Sequence, residues 1–265
     1  MLTDERLVRA LRRLEQLVYA RAAHILVPTE EARTHIVSRG VPMRKISVLP
    51  NWADPSDYEA DPASRAKASQ VIDAPNCFVV TYAGNLGRVQ GLDSVLEAAR
   101  RLRYRQDIAW RIAGAGSDGP RLERLAREMH LDNVRFLGRL PSTEMPALFA
   151  ESDALLVHLR SGPLADLVVP SKTQAYLAAG RPIVMASRGP AARIVEAAGA
   201  GLIVPPDDPE RLAGAVAQLS AVPASERQEI GDRGRSYAKE HYSRSKLMSD
   251  LESLLAAVAV GREPG

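Results

Sequence analysis

Val169-Pro170-Ser171-Lys172-Thr173-Gln174-Ala175-Tyr176-Leu177-Ala178-Ala179-Gly180-Arg181-Pro182-Ile183 packs a loop, a helix, its stop and the start of a strand into one short stretch. Proline and serine open the helix, apolar residues recur within it at spacings of three and four, and glycine then proline close it. The β-branched run 183–186 follows at once. A strand reached from a helix so directly is half of a βαβ unit, and the question is whether neighbouring segments repeat it.

They do. Working outward, short apolar runs at 78–82, 110–113, 134–137, 154–159, 183–186 and 202–204 read as six strands, each apolar enough for a sheet covered on both faces. Between and after them, 92–103, 120–129, 143–151, 172–179, 191–198 and 209–219 have helical period, as crossover helices require. The alternation predicts an α/β fold with a Rossmann-like parallel sheet over residues 51–220. Two further helices at 225–242 and 245–260 make 221–265 a C-terminal helical segment. Upstream, an amphipathic helix at 4–22, a strand at 25–27, a helix at 30–38 and a strand at 46–49 are too few to form an independent sheet. They predict that residues 1–50 are the remnant of a preceding α/β domain, with the turn-rich 50–62 as linker.

Composition narrows the function classes. The formal net charge is +3 over 265 residues, with both signs interspersed and only 5% aromatic residues, which gives no footprint for nucleic acid. The single cysteine, Cys77, excludes an internal disulfide and is expected to pack in the core. No apolar run approaches the ~20 residues that span a bilayer, so a soluble chain is expected. No metal ligands fall at a recognisable spacing, and no metal is predicted.

In a parallel sheet, ligands bind beyond the C-terminal ends of the strands. The loop after the first strand, Gly84-Asn85-Leu86-Gly87-Arg88-Val89-Gln90-Gly91, combines glycines that admit close backbone approach, a helix start that favours an anion, and a cation in Arg88. A plain turn with an exposed arginine fits it equally well. The loop after the second strand, Gly114-Ala115-Gly116-Ser117-Asp118-Gly119, spells the dinucleotide fingerprint. Its place after the second strand rather than the first, and Gly138-Arg139 where a ribose-binding acid belongs, argue for a structural loop or a wall of the site over a nicotinamide cradle. After the third strand, the turn Leu137-Gly138-Arg139-Leu140-Pro141 offers a backbone amide and carbonyl that suit either the edge of a base or a simple strand-to-helix turn. In the quoted segment, Ser171 reads as an N-cap following Pro170, so Lys172 falls in the first helical turn, where the dipole opposes a cation by roughly 0.3–1 kcal/mol. A bound anion offsets that mismatch. The competing reading bends Lys172 into solvent.

These loops in this order resemble the donor domain of retaining glycosyltransferases of family 4, and the resemblance runs from about Leu14 to the C-terminus. Its most specific elements are Val169 to Ile183 and the run from Tyr82-Ala83-Gly84-Asn85-Leu86-Gly87 to Gln90-Gly91-Leu92. They are most similar to the subgroup with the Pro-Ser-Lys motif found in bacterial surface-polysaccharide clusters, which includes fucosamine-type transferases. The start, from Tyr19 to Thr29, looks like the end of an acceptor domain. The resemblance implies a GT-B fold of which this chain carries the C-terminal half and a truncated N-terminal domain.

By that resemblance, the glycine-rich first loop (Gly84, Asn85, Gly87, Arg88, Gln90) and Lys172 hold the diphosphate of a nucleotide sugar, the 136–140 turn the base, and the 160–169 loop the sugar. Two departures stand out. Many family members carry arginine and lysine where Asn85 and Gln90 stand, and two glutamates eight residues apart where Leu167 and Ala175 stand; Gln174 or Asp166 is the expected substitute for binding ribose or sugar. The implied activity is retaining transfer of a sugar, from a donor that is expected to be a uridine diphosphate sugar, to a lipid-linked or saccharide acceptor. Lys172 and Arg88 would stabilise the leaving diphosphate, and no cofactor beyond the co-substrate is implied. The truncated beginning suggests an alternative, a non-catalytic nucleotide-sugar-binding module or half-enzyme that needs a partner chain. The apolar faces of residues 7–18 and 245–260 would then favour self-association or a partner. A cytoplasmic protein, peripheral to the inner face of the membrane, is the expected setting.

Overall fold

Phe78–Ala83 is buried along its whole length, which only a central strand covered on both faces allows. The computed structural model describes residues 5–60, 77–162, 165 and 167–260, and they fall into two compact units, 51–244 and a smaller one made of 1–50 with 245–265.

In the smaller unit, α1 (Glu5–Arg21) is followed by β1 (Ile25–Val27), α2 (Glu30–Ser38) and β2 (Ile46–Val48). The two strands pair in parallel, Ile25 opposite Ile46. Val27, Val41 and Ile46 form a small core. Thr29 caps α2 by accepting a bond from the Ala32 amide at 3.0 Å. Lys45 closes the end of α1, its Nζ donating to the Tyr19 carbonyl at 2.7 Å and the Ala20 carbonyl at 2.9 Å. Leu7, Leu11, Leu14, Leu17 and Val18 of α1 are exposed.

The larger unit alternates β3 (Phe78–Ala83), α3 (Leu92–Arg101), β4 (Ile108–Ala113), α4 (Gly119–Glu128), β5 (Val134–Gly138), α5 (Met145–Ala150), β6 (Ala154–His158), α6 (Ser171–Ala179), β7 (Ile183–Ala186), α7 (Pro190–Ala197), β8 (Gly201–Val204), α8 (Pro209–Ala221) and α9 (Ala224–His241). Six strands make one sheet in the order β5-β4-β3-β6-β7-β8. Every pairing in it is parallel. All six predicted strands are present, and the fold class is as the alternation implied. Each face carries its own core, one around Trp110, Leu96 and Val216, the other around Leu155, Tyr176 and Met185. The order reverses direction between β3 and β6, and this switch point is where a doubly wound sheet opens its ligand crevice.

Three details differ from the sequence reading. The last helix, α10 (Arg244–Ala259), groups with residues 1–50, while α9 groups with the sheet, so 221–265 is not a separate segment. Cys77 is half-buried beside the sheet, its Sγ 3.2 Å from the Gln106 carbonyl, and lies outside the core. Pro170, not Ser171, occupies the cap position of α6, and no side chain caps that helix. No helix among the described residues is long and apolar enough to cross a membrane.

Candidate functional site

The loops leaving β3 and β4 are zipped together by backbone bonds, Gly84 N–H to the Ala113 carbonyl at 2.9 Å, Leu86 N–H to that of Ala115 at 3.0 Å and Asp118 N–H to that of Leu86 at 2.9 Å. Glycine is what permits this closeness. A Cβ on Gly114, whose φ is +143°, would stand 1.8 Å from the Gly84 carbonyl oxygen, and one on Gly116 would stand 2.5 Å from that of Leu86. The fingerprint glycines are therefore occupied by a neighbouring loop. Asn85 is exposed at the edge of the same seam, its Oδ1 2.6 Å from where a Gly116 Cβ would be.

Across the switch point, α6 meets the same first loop. The Lys172 Nζ lies 3.8 Å from the centroid of the Tyr82 ring and 2.9 Å from the Cβ position of Gly84. It is buried and has no hydrogen-bond partner. Burial without a counter-charge pulls its pKa down to about 7. One turn on, the Tyr176 hydroxyl accepts from the Ala83 amide at 2.8 Å and donates to the Ala83 carbonyl at 3.0 Å, hooking α6 to the end of β3. Thr173 Oγ1 and Gln174 Oε1, in the first turn of α6, are also buried without partners, as is His158 Nε2 at the end of β6. A second group of such atoms, on Trp110, Arg111 and Asn133, lines a cavity reached from the N-terminal ends of β4 and β5, the opposite end of the sheet from ligand crevices.

The Tyr82 hydroxyl donates to the Asn85 carbonyl at 2.7 Å and lies 3.3 Å from Gln90 Oε1. Burial pushes the Tyr82 and Tyr176 hydroxyls well above the ordinary tyrosine range, so both stay protonated. The rim carries charge. Arg121 binds Asp118 through two bonds of 2.7 Å and Asp93 through bonds of 2.7 and 2.9 Å. Hydrogen bonds from Arg121 hold both carboxyls below their ordinary pKa. Arg160 lies 3.7 Å from Asp93 and 3.6 Å from Asp207.

Comparison with known proteins gives this arrangement a family. The family model described as "Glycosyl transferases group 1" matches residues 65–237, which is most of the sheet-bearing unit. The chain belongs to the group 1 glycosyl transferases. A second model, "Glycosyl transferase 4-like domain", matches residues 3–52. The chain is 28% identical over 237 residues to "Probable glycosyltransferase WbjE" of Pseudomonas aeruginosa, covering 89% of this chain and 58% of that protein. It is 27% identical to the GDP-mannose-dependent alpha-(1-6)-phosphatidylinositol monomannoside mannosyltransferase of Mycobacterium tuberculosis, over 84% of this chain and 59% of that one. Among solved structures, Alr3699/HepE of Anabaena, crystallised with UDP and glucose, superposes with a TM-score of 0.82 at 18% identity, covering 93% of this chain and 66% of that one. Such likeness makes the fold GT-B, of which the chain spans somewhat over half the length of these relatives.

In this group 1 chain, the structure brings together Gly84, Asn85, Gly114 and Gly116 in one seam, and Gly84, Gln90 and Lys172 around Tyr82. It leaves Arg88 and Ser171 exposed, and Gly87 and Pro170 half-buried. Gln174 is buried. Arg139 is exposed and Leu140 packs on one core, both beyond β5 at the edge of the sheet, two strands from β3. Asp166 lies outside the described residues. The solvent-facing alternative for Lys172 is overturned, since burying its ammonium over Tyr82 removes it from water. Sequence reasoning missed Tyr82, Tyr176 and His158, whose polar ends close apolar strand or helix patterns and so read as core.

Proposed function

We propose that this chain carries the donor domain of a retaining glycosyltransferase of the Pro-Ser-Lys subgroup, which moves a sugar from a uridine diphosphate donor to a lipid-linked or saccharide acceptor in cell-surface polysaccharide synthesis. The observation that supports this most is Lys172. A buried ammonium with no counter-ion is unfavourable, and it stands at the start of a helix and at the switch point, where an anionic ligand relieves both penalties. In this reading, the diphosphate takes Lys172 from the ring of Tyr82, with Arg88 and the backbone of Gly84 and Gly87 beside it. Gln174 or Asp166 binds ribose or sugar, and the Arg139–Leu140 peptide reads the base. As the glycosidic bond breaks, negative charge grows on the leaving diphosphate. Lys172 and Arg88 act on that charge, so losing either raises the barrier by about 2.7–4 kcal/mol. Gly114 and Gly116 support the wall of the site.

The donor base rests on analogy. The Anabaena neighbour holds UDP, whereas the mycobacterial relative is named for GDP-mannose. Calorimetric titration of the chain with UDP and with GDP tests the assignment. UDP is expected to bind more tightly, and Lys172→Ala to weaken it by roughly a hundredfold, the scale of a lost charge-assisted contact. Tighter binding of GDP removes the uridine assignment, and an unchanged affinity in the variant removes Lys172 from the site.

A further inference from the structure

His158 ends β6, a strand buried along its whole length, and its ring reaches across the switch point to the first loop. Its Nδ1 lies 2.6 Å from the Gln90 carbonyl oxygen. A carbonyl only accepts, so Nδ1 carries the proton and donates, and in the neutral ring Nε2 is then a bare lone pair. That Nε2 is buried with no partner. An apolar side chain would leave no such orphan, so what histidine adds at this position is its Nδ1–H.

The bond falls on a short turn whose own backbone bonds run from the Gln90 amide to the Gly87 carbonyl at 3.0 Å and from the Gly91 amide to the Arg88 carbonyl at 3.2 Å, and His158 ties that turn to β6. Gly91 is left-handed, with φ +63°, and it is the cap residue of α3 without any side-chain cap bond. A Cβ on Gly91 would stand 2.8 Å from His158 Cε1, so ring and glycine are fitted to each other. The next carbonyl upstream, that of Val89, accepts from the Arg160 amide at 3.0 Å, which gives the end of β6 two successive grips on the loop. Gln90 is held by His158 at its carbonyl, its side-chain amide lies 3.3 Å from the Tyr82 hydroxyl, and the Tyr82 ring is the seat of Lys172.

We propose that His158 is a positioning residue for the donor site: as the neutral Nδ1–H tautomer it clamps the Gln90–Gly91 turn to β6, and through Gln90 and Tyr82 it fixes where Lys172 and the start of α3 stand relative to the diphosphate. The proposal rests on the donor reading above only for its consequence on binding. The clamp itself is a separate claim.

The test uses the full chain and two variants, His158→Phe, which fills the ring's volume but donates nothing, and His158→Asn, whose side-chain amide can donate as Nδ1–H does. Each is titrated with UDP by calorimetry, and amide hydrogen exchange is followed across residues 88–95. The phenylalanine variant is expected to bind UDP roughly tenfold more weakly and to exchange faster in that segment, as loss of one hydrogen bond implies. The asparagine variant is expected to recover most of both. Exchange in the phenylalanine variant equal to that of the wild type overturns the proposal, and so does an asparagine variant no better than the phenylalanine one, because ring volume alone would then be at work. Should the phenylalanine variant not fold, His158→Gln, whose amide reaches the Nε2 rather than the Nδ1 position, takes its place. If the wild type binds no nucleoside diphosphate, the donor reading fails by itself, and the exchange comparison still decides the role of His158.

Discussion

Two regions that read as binding motifs, the loop after β4 and the start of α6, are built oppositely. The 114–119 loop spells the better-known motif, yet the space beside Gly114 and Gly116 is filled by the Gly84–Leu86 backbone, and the Gly114, Asp118 and Gly119 amides are engaged. At the start of α6 there is no glycine fingerprint, and there three neighbouring side chains, Lys172, Thr173 and Gln174, end in buried polar atoms with nothing to bind. Satisfied polar groups suit a structural joint, whereas unsatisfied ones at the ligand-binding end of the sheet suit a place where a ligand completes the structure. Letters alone rank these two regions in the wrong order.

That contrast can be broken most forcefully at Gly114. Alanine there meets both a carbonyl 1.8 Å away and a φ of +143°. Overpacking and backbone strain each contribute roughly 1–3 kcal/mol, so Gly114→Ala is expected to destabilise the chain by about 4 kcal/mol in urea unfolding. A loss below about 1 kcal/mol would mean the seam is loose enough to admit a cofactor.

Lys172 is expected to show the reverse, with removal stabilising the fold. Its folded pKa is about 7, while an unfolded lysine titrates near ~10.4, so between these values the unfolded chain binds more protons and stability rises with pH. The penalty is fully present below pH 7 and is relieved above ~10.4. Lys172→Met should therefore exceed the wild type by about 4 kcal/mol at pH 7 and converge with it near pH 11. Parallel stability curves for the two proteins would show that the ammonium is solvated. Tyr176→Phe, which strips both partners from the Ala83 peptide, is expected to lose about 2 kcal/mol. The smallest effect should come from nicotinamide cofactors. NADH or NADPH should leave the melting temperature unchanged, while UDP at a hundred times its Kd adds about 2.7 kcal/mol; a shift with either reduced cofactor would reopen the 114–119 loop as a binding motif.

The sheet was legible because burial on both faces forces apolar runs such as 154–158, and crossovers force helical period between them. The placement of Lys172 in the first turn of its helix was legible for the same reason. Its burial was not, because it depends on Tyr82, ninety residues earlier, lying under it through strand order. His158 continued the apolar run 154–157 and carried no signal of its own until β6 was seen beside β3. Residue type points to Ser171 as the cap, but Pro170 stands at that position and no side chain of either residue caps the helix. Asn85 and Gln90 depart from the family pattern that the sequence resembles, and the approach of the Tyr82 hydroxyl to the Asn85 carbonyl and the Gln90 side chain is a contact that no spacing in the sequence reveals.

The clasp of Arg121 on Asp93 and Asp118 makes the site respond unevenly to ionic strength. Arg121 and Asp93 are each 38% exposed, and Arg160, which extends the chain of charges to Asp207, is 49% exposed. Ions reach such groups, whose pairs are worth up to about 1 kcal/mol and are screened over ~10 Å at 0.1 M salt. The Lys172 ammonium is sealed from that atmosphere. Raising the salt therefore slackens the mouth of the crevice, where the first helical turns of α3 and α4 are tied together, and leaves its floor almost untouched.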